Sequence, residues 1–216
     1  MATLESQRSP TLSILGSGTC ETVQEIIDIA VTAEAFAVTA LGGALESAAN
    51  GDLDISDEAV QALKAARASE QVHYDVLIAA GAKPITTTFT VPDPAFLTDP
   101  AVFYPTLISL EEAFIAAYLA AAQTFVVLGE ADLAKLALQI GAVEAEHRVG
   151  VRFFAVVAGV VSGLPNDVAF EKSLFTSVAQ AAKLLQDLGF IGGSGAKIMY
   201  PGPGEIDYTG VKNLKP

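Results

Sequence analysis

Apolar side chains recur every three or four residues along most of this chain, the spacing that gathers them on one face of an α-helix. Breakers cut the pattern into five stretches. The first runs from about Glu21 to Ala49 and stops at Asn50-Gly51. Ser56 is placed to cap the second, which ends near Ala80 at Gly81. Pro105 suits the first turn of a third helix reaching about Leu128, and Gly129-Glu130 turns the chain into a fourth, from about Ala131 to Val161. Gly163, Pro165 and Asn166 break that one, and a fifth amphipathic stretch covers roughly Asp167 to Leu188. Residues 1–19, rich in Ser, Thr, Gly and Pro, predict an irregular arm, and the glycines and prolines of 190–216 predict an irregular tail. The expected class is all-α, with a four-helix bundle over 20–162 and an additional helix in 163–189.

The segment between the second and third helices fixes the expected topology. Residues 81–105 carry the β-branched run Ile85-Thr86-Thr87-Thr88 and five prolines, at 84, 92, 94, 100 and 105, and read as one long connection. Extended, such a segment reaches roughly 80 Å. A helix of about 24 residues is only about 36 Å long. The connection is therefore long enough to return along the whole bundle, giving two hairpins joined by a crossover.

Composition decides where such helices sit. The chain is 51% apolar and 17% charged, with no Trp. The longest apolar runs nonetheless make poor membrane spans. Ile26–Leu45 contains Asp28 and Glu34, Phe114–Leu128 falls short of the roughly 20 residues required, and Val149–Leu164 holds Arg152. Burial inside a bundle and a homo-oligomer, at least a dimer, accounts for the oiliness without a membrane span. The net charge of −13 and a pI near 4.4 disfavour a nucleic-acid partner and suit the gathering of cations. The single Cys20 makes no intrachain disulfide, and no cysteine pair is present for zinc or a rubredoxin-type iron. The apolar run Leu12–Leu15 is too short for a secretion signal, so the chain as written reads as cytoplasmic; an exported form with its leader removed would read the same way.

Chemistry enters with the histidines. There are two, and each follows a glutamate by three residues, in Glu70-Gln71-Val72-His73 and Glu144-Ala145-Glu146-His147. Positions i and i+3 share a helix face, so each pair can offer a carboxylate and an imidazole to one metal ion. Depth supplies two further candidates. The residue midway between Glu34 and Glu70 is 52, inside the first expected turn, and the midpoint of Glu111 and Glu144 falls at Val127–Leu128, beside Gly129. Both hairpins thus bring their glutamates to one level, within about a helical turn. Each of these carboxylates also interrupts an apolar stripe: Glu34 lies with Val31 and Val38, Glu111 with Leu107 and Phe114, Glu144 with Ile140 and Val151. An unpaired charge there would be costly, and a metal cluster resolves the cost. Glu112 has an apolar stripe of its own, through Ile108 and Ile115, and stands as the alternate to Glu111. Tyr118 lies one heptad beyond Glu111 on the same stripe, as a core aromatic or as a side chain near the metals. Gly42-Gly43 and Gly150 suit close helix approach.

Four stretches carry a resemblance to a known family: Thr32-Ala33-Glu34-Ala35-Phe36, Ser69-Glu70-Gln71-Val72-His73, Leu110-Glu111-Glu112-Ala113 with Ala117-Tyr118-Leu119, and Val143-Glu144-Ala145-Glu146-His147. Over about residues 21–161 the chain resembles the ferritin-like superfamily, and within it the small ferritin-like domain proteins of the desiccation-related type. The resemblance implies Glu34, Glu70, His73, Glu111, Glu144 and His147 as metal ligands, with Glu70 and Glu144 bridging. It departs from iron-storing ferritins in having the second histidine, from bacterioferritins in lacking a bundle methionine for haem, and from rubrerythrins in lacking their cysteines. Its first ligand is Glu where ribonucleotide reductase small subunits usually have Asp. Manganese catalases and aldehyde-deformylating oxygenases share its ligand logic.

The activity the resemblance implies is that of a dinuclear oxidoreductase holding two Fe ions (alternatively Mn, or mixed Fe/Mn), acting on dioxygen or peroxide; the apolar helices beyond the ligands leave room for a small apolar substrate as well. Carboxylates with two imidazoles suit Fe(II) and Mn(II). Two other readings use the same residues: a manganese catalase or peroxide scavenger, and a non-catalytic, metal-stabilised scaffold.

Overall fold

A computed structural model describes residues 21–216; the arm expected over 1–19 lies outside the described residues. The fold is all-α, with one small sheet. Four long helices make its body: α1 (Val23–Asn50), α2 (Asp57–Ala79), α3 (Pro100–Leu128) and α4 (Ala131–Val157). Local chemistry sets their ends. Thr22 caps α1 through the Glu25 backbone N–H, and the Glu25 carboxylate accepts from the Thr22 backbone in return, a reciprocal capping box. Gly51 and Gly129 end α1 and α3 in the left-handed region, each at φ 81°, where a side chain would be strained. Ser56 caps α2, as the sequence predicts.

α1 packs along α2 and α3 along α4, each pair joined by a short turn and so antiparallel. Between the pairs, α1 meets α3 and α2 meets α4 along much sparser contacts. The two hairpins stand far enough apart for long side chains to fill the space between them. Two apolar layers occupy it, one holding Phe36, Leu41, Phe103 and Leu110, the other Ile26, Val31, Phe125 and Ile140. The buried glutamates fall where these layers meet in sequence: Glu34 lies between Val31 of one and Ala35 of the other.

The connection between α2 and α3 climbs along α1 as expected. The Gly81 carbonyl accepts from Gln24, the Lys83 backbone N–H donates to Asp28, the Ile85 N–H donates to Thr32, and Leu97 reaches the surface over Gly43. It is not wholly irregular. Thr88–Val91 forms β1, which pairs antiparallel with β2 (Ala196–Met199), in the tail expected to be irregular throughout; Thr88 faces Met199 and Val91 faces Ala196. The reason is burial: Phe89 is inaccessible and packs against Phe36, which also meets Phe190.

Other boundaries move too. α3 starts at Pro100 rather than Pro105, because Asp99 caps it through the Ala101 N–H; Pro105 lies inside the helix. α4 ends at Val157 instead of Val161. The fifth helix, α5, covers only Val178–Asp187, and the residues expected to begin it run without regular structure over α3 and α4. Ion pairs hold them there: Arg152 to Asp167, Arg148 to Glu171 and Lys172 to Glu112. α5 itself packs on α1 and α3, and the Glu21 carboxylate accepts from the Val178 and Ala179 backbone N–H groups at its start. Gly150 has open space where a Cβ would stand, so it serves no close approach, whereas a Cβ on Gly42 would strike Arg67. α1 and α3 are long and apolar enough to cross a membrane, but 72% and 61% of their most apolar windows are buried within the chain.

Candidate metal centre

All six residues singled out by spacing, depth and stripe converge. Glu34 comes from α1, Glu70 and His73 from α2, Glu111 from α3, Glu144 and His147 from α4. The four glutamates are at most 3% exposed. Glu112, the alternate to Glu111, is not among them: it points outward to Lys172, 2.9 Å away. The two neighbours separate because α3 buries the Leu107, Glu111, Phe114, Tyr118 face and presents the next residue to the surface.

Their geometry resolves into two overlapping groups of donors. One comprises Glu34, Glu70, His73 and Glu144; the other Glu70, Glu111, Glu144 and His147, each with ligand atoms within 4.8 Å of one another. Glu70 and Glu144 belong to both. His73 Nδ1 lies 3.2 Å from Glu144 Oε1, 3.3 Å from Glu70 Oε2 and 3.4 Å from Glu34 Oε2. His147 Nδ1 lies 2.8 Å from Glu70 Oε1 and 3.4 Å from Glu144 Oε2. Both imidazoles therefore turn the same nitrogen into the cluster.

Several of these atoms are close without being hydrogen-bonded. Glu70 Oε1, Glu111 Oε2, both Glu144 oxygens and His147 Nδ1 are buried with no hydrogen-bond partner, the 2.8 Å approach of Glu70 to His147 being misaligned for one. Orphaned buried carboxylate oxygens are rare and costly. Atoms that converge at short range without pairing are what a cation requires. Four carboxylates also carry the charge that two divalent ions would balance, with both imidazoles neutral. The donor set fits such ions.

Counted on the protein's own charges alone, the cluster is electrostatically frustrated. Burial, then the charge of Glu70, pushes the Glu34 carboxyl well above the usual carboxylate range. Burial and then Glu144 do the same to Glu111. Burial also works against an ionised Glu70, but the adjoining imidazoles of His147 and His73 hold its carboxyl well below that range. Burial opposes the charged form of both histidines, yet the surrounding carboxylates raise them well above the ordinary value, Glu144 and Glu34 foremost at His73 and Glu70 at His147.

Tyr118 belongs to the site rather than to the plain core. Its hydroxyl donates to Glu34 Oε1, and burial followed by the Glu34 charge raises the phenol well above its usual range. That bond occupies one Glu34 oxygen and leaves Oε2 toward His73. The stripe shared with Glu111 was the signal that could find it. Arg148 carried no such signal. It is buried one residue beyond His147 and forms a two-pronged pair with Glu171, from the irregular segment after α4. Gln71 is fully buried beside Glu70 and bonds Asp75 and Tyr200, tying α2 to the tail. At the seam of α2 and α4 a groove lined by Ser69, Val143, Gly150 and Tyr104 reaches His147, whose Nδ1 is buried on the side of the cluster.

No family model, no curated protein and no solved structure matches this chain. What the centre can do is read from its side chains.

Proposed function

We propose that this protein is a dinuclear metal oxidoreductase with the ferritin-like layout of two hairpins and a crossover, acting on dioxygen or peroxide. The observation that carries the reading is the pair of donor groups sharing Glu70 and Glu144. One ion would be held by Glu34 and His73, the other by Glu111 and His147, with Glu70 and Glu144 common to both. Fe or Mn bound there would supply electrons and open positions for dioxygen or peroxide.

The chain's own residues do the rest. Tyr118 holds its proton on the hydroxyl and fixes the orientation of Glu34. The apolar layers on either side exclude water, so each polar contact in the centre acts at low dielectric. The groove at the seam of α2 and α4 ends at His147, the ligand nearest to solvent there. With a net charge of −13 the chain attracts cations and repels nucleic acids, and no membrane span is required of helices buried as α1 and α3 are. Exposed Val126, Val127, Leu138, Phe153 and Phe170 support a homo-oligomer.

The test loads metal-stripped protein anaerobically with Fe(II) or with Mn(II), then supplies dioxygen or peroxide. Dioxygen uptake by the Fe(II) form, abolished by Glu70→Ala with Glu144→Ala, is the expected result. Oxygen release from peroxide by the Mn(II) form alone would replace it with the catalase reading. Inertness of both forms would leave a scaffold.

A further inference from the structure

Tyr118 also forms part of the wall of a second cavity, between α1, α3 and α5, which the metal centre does not use. Its other surfaces are chiefly apolar, with alanines such as Ala33, Ala117 and Ala182 beside Phe114 and Leu185. Two threonines also line it, but their hydroxyls are spent. Thr32 donates to the Asp28 carbonyl and accepts from the Ile85 N–H; Thr86 donates to the Thr88 carbonyl and accepts from the Thr88 N–H. The Tyr118 proton is committed to Glu34. No donor is left free inside, so a polar occupant would lose its hydration without replacement. At the rim the exposed Gln186 side chain stands as the one polar group with no bond of its own among the described residues, near the exposed Ile85. The cavity volume is about 60 Å³. A water needs about 10–15 Å³ on that measure, so the room suits roughly four to six heavy atoms.

We propose that this cavity binds the short alkyl chain of a neutral small molecule, chain end against Tyr118 and polar head at Gln186. Resting on the dinuclear reading, the same cavity is the substrate site: Tyr118 both lines it and bonds Glu34, so an occupant touching Tyr118 is linked to a metal ligand through that one side chain. α5 closes the outer side, fastened at its start by Glu21.

The test uses 1-pentanol as probe, followed by ligand-observed saturation-transfer NMR on the metal-stripped full chain. Three proteins are compared: wild type, Ala117→Leu with Ala182→Leu, which fills the cavity from two half-buried positions, and Gly150→Leu, which fills the groove at His147 instead. Binding by wild type and Gly150→Leu, weakened at least tenfold in the double variant, is the expected result. No binding, or binding lost only in Gly150→Leu, overturns the cavity as the site. A second measurement does not depend on the variants folding. In wild type loaded with Mn(II), the pentanol methyl should be broadened more than its hydroxymethyl end; equal broadening overturns the orientation and the substrate role. Failure to take up both Mn(II) and Fe(II) instead overturns the dinuclear reading, while the first comparison still reports on the cavity.

Discussion

At the scale of single residues, the cluster of buried glutamates and histidines was legible because the proposed dinuclear chemistry would need fixed spacings. Glu70 and His73 had to be three apart, and Glu34 and Glu111 had to sit as far from their turns as their partners do. The sequence ranks Glu111 ahead of Glu112 without setting Glu112 aside, since each continues an apolar stripe; in the structure Glu111 is buried in the cluster and Lys172 takes Glu112. Two predictions belong here. His73→Ala removes a donor from one group only, so metal content should fall from about two ions per chain to about one, by mass spectrometry of metal-loaded protein. The second concerns pH. His73, His147, Glu34 and Glu111 all hold protons more tightly in the fold than when unfolded, so in stripped protein the contribution of the glutamates is full only below about 4.3 and that of the histidines below about 6.5, and each is lost as pH rises toward its raised value in the fold. Glu70, held low, acts oppositely, but its loss comes only at acid pH. Bound ions favour the deprotonated ligands and reverse the trend. The gap in melting temperature between loaded and stripped protein should therefore widen from about pH 6 to about pH 8. A gap that narrows over that range contradicts the charge assignment.

At the scale of elements, the four long helices could be read from periodicity and breakers, and some of their ends from Ser56, Gly51 and Gly129, whereas the Thr22 capping box emerges only in the structure. What could not be read depends on partners distant in sequence. β1 lies more than a hundred residues from β2, and the short run Thr88–Val91 gains its strand conformation from Phe89 packing on Phe36 and Phe190. The stretch before α5 carries a helix-like pattern, yet Asp167 and Glu171 are drawn to Arg152 and Arg148 on α4. Long-range ion pairs leave no periodic signature. The turn between α1 and α2 offers a test of local control. Nothing stands within 4 Å of where a Cβ on Gly51 would be, so Gly51→Ala meets only backbone strain at φ 81°. It should cost about 1–2 kcal/mol, seen as a lower urea midpoint with an unchanged slope. No loss of stability would mean that the left-handed cap does not set this turn.

At the scale of the whole molecule, the sequence predicted the crossover from length alone, and the structure shows why the length is used: Gly81, Lys83, Ile85 and Leu97 meet α1 in succession from its start toward its end. The hairpins are thereby held side by side, and the space between them is filled by apolar layers with a charged middle. Such a middle is a poor way to stabilise a core unless something neutralises it. The central claim is that two metal ions do so, and metal content tests it most directly. Protein expressed with Fe and Mn in the medium and purified without chelator should carry about two ions of Fe, Mn or both per chain by mass spectrometry, and Glu70→Ala with Glu144→Ala, which removes the residues common to both groups, should carry none. Wild type that holds no metal and takes up neither Fe(II) nor Mn(II) anaerobically would contradict the account.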